Sequence, residues 1–257
     1  MWVVVVTSLC HGVFALQPSP AKVGSNPRES GLALALDDGT RKVHSVAENT
    51  QFVTGFFKGL AKRSSFARLT ANLYFVYEAM ERALDQSATP NARALDFEEL
   101  RRVPSLEADM RFYFGDDWRR RVTPSPAARA YCDRIEEVKD SDLLIGHLYS
   151  RYLGDLFGGQ MMSGMASKSL GLADDGLAFY SFADIPDTRA FIDRWYSGLN
   201  ELGSEMTSAQ HQAIVDEANV VFRLNIDVFN ELEGNAFRAA LDLALKSLLP
   251  KQLVGRS

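Results

Sequence analysis

From about residue 38 onward, apolar positions recur at intervals of three and four with polar positions between them, the period of helices that pack by one face. In SFARLTANLYFVYEAMERAL, Phe66, Leu69, Leu73, Val76, Tyr77 and Met80 share one broad face, and VHSVAENTQFVTGFFKGL carries a weaker form of the same pattern. Pro90, Asn91 and Pro104 punctuate a connecting region of short helices and turns. Pro124 and Pro126 precede a helix through AARAYCDRIEEV; Asp140 and Ser141 stand where they would cap the long helix that follows; Pro186 and Asp187 open one through RAFIDRWYSGLNEL. The stretch from His211 to Leu249 reads as one long helix or a bent helical hairpin. The pattern therefore predicts an all-α fold, a compact single bundle of roughly eight helices, with no internal repeat.

The N-terminus departs from this pattern. MWVVVVTSL is an apolar run too short to span a bilayer, and VFA ends in small residues at the spacing of a leader-peptidase site. LQPSPAKVGSNPRES then brings Pro and Ser together with Lys22 and Arg28. Residues 1–36 are expected to be a cleavable leader of the signal-plus-transit kind that crosses the extra membranes of complex plastids, and residues 37–257 the folded domain. The other reading of VVVVT is a buried strand, but nothing else in the chain reads as a strand to pair with it. No other segment reads as membrane-spanning, so the mature protein is expected not to insert stably in a membrane.

Composition narrows the function classes. A net charge of −5 with both signs interspersed gives no case for a basic nucleic-acid surface. Of the two cysteines, Cys10 lies in the expected leader, so Cys132 is left alone, without a disulfide partner or a metal cluster. It reads as a buried, inert thiol.

Chemistry is carried by two stretches. His44 has Glu48 one helical turn later, a spacing that lets a carboxylate fix the ring while the other nitrogen meets a ligand; a surface pair has the same spacing. YLGDLFGGQMMSGMASKSLGL places Gly154, Gly158, Gly159 and Gly164 in a helical pattern, although each interior Gly costs about 1 kcal/mol relative to Ala. Gly154 and Gly158 are one turn apart, so they expose a strip of bare backbone against which either a flat ligand or a neighbouring helix can lie. Extra Gly also permits a kink. Arg151 and Asp155, also i, i+4, stand beside the strip as a charged pair that can organise water, or as a solvated surface bridge.

These stretches resemble the heme oxygenase family. YLGDLFGGQ is similar to its distal-helix signature and RKVHSVAEN to the proximal-helix pattern, and the resemblance continues through ANLYFVYEAME, LEADMRFYFGDDW, LIGHLYSRYLGD, LAFYSFADI and IVDEANVVFRLNIDVFNELEGN. It looks closest to the cyanobacterial and algal plastid branch. The resemblance implies that heme b is both substrate and cofactor, with His44 as the axial iron ligand and Glu48 bonded to its other ring nitrogen. It implies that Gly154 and Gly158 touch the porphyrin, that Phe222 and Phe229 wall the pocket, and that Tyr149 and Arg41 belong to the heme-binding set. Asp155 would hold the water network that delivers protons to dioxygen, with Arg151, Tyr77 and Asn225 supporting it.

The activity so implied is oxygen- and electron-dependent cleavage of heme to biliverdin, of the IXα isomer, with carbon monoxide and ferrous iron. It is expected in the chloroplast stroma, with ferredoxin as donor and a bilin reductase downstream. Lys58, Lys62, Arg63 and Arg68 are candidates for docking an acidic donor, or ordinary solvated charges. The chain also departs from the family. Asp37, Ile192 and Tyr196 stand where basic residues usually grip the heme propionates, leaving Arg41, with Arg194 or Lys42 as substitutes, and Phe157 replaces a Ser in the signature. A non-catalytic heme carrier or sensor is the alternative. Thiaminase-like and di-iron members of the fold rank below both, because Cys132 lacks context and no paired Glu-x-x-His motif is present.

Overall fold

The computed structural model describes residues 26–57, 62–172 and 175–248. Its main helices are α1 (Gly31–Glu48), α2 (Gln51–Phe57), α3 (Arg63–Gln86), α4 (Val103–Phe114), α5 (Pro126–Val138), α6 (Leu144–Leu148), α7 (Gly154–Leu170), α8 (Thr188–Ser204) and α9 (Ser208–Leu248). A π-helical turn, Tyr149–Leu153, joins α6 to α7, and the three run on as one long helix. No strand occurs among the described residues. Punctuation acts largely as expected. The Asp187 carboxylate accepts from Ala190 N at 3.0 Å to cap α8, and the Ser125 hydroxyl accepts from Ala128 N at 3.2 Å ahead of Pro126 at the start of α5.

Two expectations are corrected. Asp140 and Ser141 do not cap the long helix. Leu143 stands at its N-cap, the Ser141 hydroxyl donates to the Val138 carbonyl at 2.8 Å to close α5, and Asp142 instead accepts from Thr89 and Asn91. The domain also does not begin at residue 37. The helix starts at Gly31, and Leu32, Ala33 and Leu36 are fully buried in the core, so the amphipathic face of α1 extends six residues into the stretch assigned to the leader. The apolar run MWVVVVTSL and the expected cleavage site lie outside the described residues.

The packing that positions the site centres on α9, which lies against α1, α6 and α5, while α3 packs on α4 and α5. Glycine makes the closest approaches. A Cβ at Gly146 would stand 3.0 Å from Ala218 N and 3.1 Å from the Ile214 carbonyl, and one at Gly39 would stand 2.3 Å from a Val215 methyl. α6 and α1 are thus both drawn onto one turn of α9, which brings His44 and Arg151 to opposite elements of a single cavity. Among the described residues no helix is long and apolar enough to cross a membrane.

Candidate functional site

The cavity encloses about 1140 Å³ measured out to its open mouth, with solvent space there included. His44, Glu48 and Arg41 reach it from α1; Tyr149 and Arg151 from the π-turn; Gly154, Asp155, Phe157 and Gly158 from α7; Phe222, Asn225 and Phe229 from α9. Of the twelve residues that the resemblance assigned to the site, Tyr77 alone does not line the wall, and it touches the site through Asp155. Leu69, Leu73 and Tyr180 add apolar surface that the sequence marked only as helix face or motif.

His44 is set by burial and by two neighbours. Its Nδ1 lies 3.4 Å from Glu48 Oε1, a contact longer than an ordinary hydrogen bond, and its ring meets Phe222 edge-on at 5.2 Å. Nε2 is the ring nitrogen on the far edge from Glu48, and His44 lines the cavity. Burial pushes the imidazole down to about 4, so it is neutral at pH 7, as a metal-binding imidazole must be. The other described histidines are elsewhere. His147 is fully buried with Nε2 3.0 Å from Glu217, and His211 Nε2 lies 2.8 Å from the Gly203 carbonyl.

Gly154 faces open space. A Cβ built on Gly154 meets nothing within 4 Å, whereas the helix-to-helix approach falls on Gly146, two turns earlier. Of the two readings of bare backbone, the open slot therefore holds at Gly154. The π-turn lies just before it. A π-turn adds a residue to the helical circuit and is found mostly as a single turn at functional sites. Its five residues are all buried, with Tyr149, Ser150, Arg151 and Leu153 lining the cavity while Tyr152 enters the core. The break in the helix thus precedes the glycines and is not a kink at them.

Asp155 is held from two sides. Tyr77, fully buried, donates to its Oδ2 at 2.5 Å, and Arg151 Nη2 donates to the same oxygen. Arg151 Nη1 donates to Asn225 Oδ1 at 2.5 Å. Oδ1 of Asp155 has no protein donor among the described residues and remains to accept from solvent or ligand. Burial works against the charge of Arg151, but Asp155, Tyr77 and Tyr131 together more than offset it and the guanidinium stays protonated. Burial, then the Asp155 charge, pushes the Tyr77 phenol well up, so it remains a donor. This pair is a buried network, and the solvated surface bridge is excluded.

The mouth differs from expectation. Phe157 turns to the cavity and does not pack outward. Arg194 does not substitute for the missing basic residues: it pairs with Glu99 at 3.1 Å and lies over Phe97 and Phe191, away from the cavity. Lys42 is exposed and does not line it, and Ile192 is buried in the core. Beside Arg41, the cavity is lined by a cation that the sequence did not mark, Arg28, from a 3₁₀ turn at Pro27–Glu29. Sequence reasoning missed it because Pro27 and the preceding Ser and Pro residues read as linker. Cys132 donates to the Phe75 carbonyl at 3.4 Å, and burial pushes its thiol up to about 11, which makes it a poor nucleophile. Among the described residues no three His, Cys, Asp or Glu side chains gather to hold a metal ion, so a di-iron centre has no ligand set here.

The residues fit a flat iron-bearing ring: one neutral imidazole, an uncovered stretch of backbone on another helix, apolar walls and cations at the mouth. Comparison with known proteins gives the same direction. The heme oxygenase family profile matches residues 30–231. Heme oxygenase 1 of Synechocystis sp. is 43% identical over 227 residues, 87% of this chain and 94% of the relative. The heme oxygenase of Rhodella violacea is 39% identical over 211 residues, 80% and 89% of the two chains. The crystal structure of the Synechocystis heme oxygenase-1 in complex with heme superposes with a TM-score of 0.78, covering 86% of this chain and all of that one.

Proposed function

We propose that this chain, which belongs to the heme oxygenase family, binds heme through His44 and cleaves it with dioxygen and a reductant to biliverdin IXα, carbon monoxide and ferrous iron. The observation that carries the reading is the pairing, in one cavity, of a buried neutral imidazole with the open backbone of Gly154, with Asp155 beside it. Bound heme supplies the iron at which dioxygen is reduced. The protein supplies the rest. His44 is the sole histidine lining the cavity among the described residues; it would hold the iron, and no second imidazole there would compete with dioxygen for it. Bare backbone at Gly154 would let a flat ring lie at van der Waals distance and would keep water from that face. Asp155, fixed through one oxygen, presents the other to water and so places a proton donor chain without a strong acid in contact with the reacting atoms.

The donor is proposed to be ferredoxin, which is acidic. Lys62, Arg63 and Arg68 are exposed at the start of α3 and supply basic charge there, while Lys58 lies outside the described residues. A plastid stromal location is proposed on the reading of the leader, with the product passing to a bilin reductase. Hemin added to the purified protein with reductant and oxygen should lose its Soret band as biliverdin absorbance grows. A heme spectrum that persists through reduction would make the protein a carrier or sensor instead.

Gly154 separates folding from function. Ala there meets no neighbour and improves helix propensity, so Gly154→Ala should stabilise the heme-free protein by about 0.5–1 kcal/mol. The same methyl intrudes on the slot, and hemin affinity should fall by about fivefold or more, as for a modest overpacking penalty. Urea unfolding and hemin titration read the two effects. A variant that gains stability and keeps its affinity would show that no ring lies on this backbone.

A further inference from the structure

Arg28 stands at the cavity mouth in a setting that the sequence departures create. Its Nη2 lies 2.7 Å from Asp37 Oδ1, and its guanidinium carbon sits 5.4 Å from the Phe157 ring centroid and 5.8 Å from that of Tyr196. Asp37, Tyr196 and Phe157 are three of the residues that the resemblance marks as departures from the family pattern, and all three lie at the cavity. All three hold one arginine. The turn that carries Arg28 is itself fixed, since the Asn200 amide on α8 donates to the Pro27 carbonyl at 2.6 Å and the Asn26 side chain accepts from Arg28 N at 3.1 Å. The side chain is 24% exposed, against 56% for Arg41, which is taken up by Asp38 and Asp37 on its own helix.

We propose that Arg28 is the residue that grips a propionate of bound heme, with Asp37 fixing the guanidinium and the Phe157 and Tyr196 rings holding its plane. A guanidinium presents five donors in a rigid fork, and Asp37 engages one nitrogen, so a second carboxylate can be bridged by the rest. Aromatic faces favour a flat, weakly hydrated cation over an ammonium, which explains why an arginine occupies this place. Any processing of the leader must then fall before Arg28, because a chain beginning at residue 37 would lack this cation together with the buried Leu32 and Leu36.

The proposal rests on the heme reading, and hemin compared with its dimethyl ester tests it independently of turnover. The ester keeps the ring and iron but removes both carboxylates. In the full-length chain, Arg28→Gln should lower hemin affinity about tenfold, the value of a charge-assisted bond at a partly exposed site, and leave affinity for the ester unchanged. Arg28→Lys should fall between the two for hemin. If Arg28→Gln binds hemin as the parent does, or if both variants lose hemin and ester in parallel, Arg28 acts in packing or not at all and the proposal fails. Failure of the heme reading looks different, since the unmodified chain would then bind neither compound with an imidazole-ligated Soret band.

Discussion

Replacing His44 with Ala is expected to remove the imidazole-ligated Soret spectrum of the hemin complex and to lower product formation at least about 100-fold, because loss of the group that hydrogen-bonds a metal ligand alone costs about 10- to 100-fold and here the ligand itself is lost. The reasoning starts from burial. A side chain 13% exposed, pushed down to about 4 by that burial, is neutral over the whole range in which the protein would work, so protons do not compete with iron for Nε2. No other described histidine lines the cavity to take its place. The space left by Ala is flanked by Glu48 and Phe222, and the apolar walls of the cavity remain, so hemin can still enter by apolar contact. Residual binding with a changed spectrum is therefore the expected result, and His211→Ala, on α9 outside the cavity, serves as the control that leaves both spectrum and product unaffected. An unaltered Soret band and product yield in His44→Ala would end the assignment.

Much of this site could be read from the chain because its parts obey local periodicity. His44 with Glu48 and Arg151 with Asp155 are one helical turn apart, and a one-turn spacing on a helix fixes proximity whatever the rest of the fold does. Caps at Ser125 and Asp187 follow from the same short-range rules. The features that escaped all depend on what packs against what. Gly146 and Gly154 look alike in sequence; that one meets the backbone of α9 and the other an open slot is decided by a helix more than sixty residues away. The π-turn has no residue signature, since Tyr149–Leu153 reads as ordinary helix; all five of its residues are buried.

The displaced domain start has a related cause. GLALALDD offers a short apolar stripe behind a segment containing Pro and Ser, and composition alone assigns it to the leader. Leu32 and Leu36 are buried only because α8 and α9 close over α1, with Gly203 of α8 brought so near that a Cβ there would lie 2.8 Å from Leu32. Arg28 followed its neighbours into the wrong category. Conversely, the departures at Asp37, Tyr196 and Phe157 were visible one by one, but their common purpose required seeing them around one guanidinium.

Asp155→Asn is expected to leave hemin affinity within about threefold of the parent, since Asp155 is not placed to ligate, and to lower product formation by about 10²- to 10³-fold, the range for loss of a positioned proton-transfer group. Asn keeps the shape and one acceptor oxygen, so Tyr77 and Arg151 can still be met. The charge that orders them is gone, and Arg151 at 8% exposure loses its ionic partner, a change expected to lower stability by about 1–3 kcal/mol, less than removal of the whole side chain. Tyr77→Phe should give a smaller loss, about tenfold in turnover with binding unchanged, because it removes one of the two donors that fix the same carboxylate oxygen. The two effects must not add. If Tyr77 acts only by orienting Asp155, the double variant should turn over as slowly as Asp155→Asn and no more so, and single-turnover product formation in the four proteins of the cycle measures this. A double variant slower by the full tenfold would give Tyr77 a part of its own in the chemistry, and wild-type turnover in Asp155→Asn would remove the carboxylate from it.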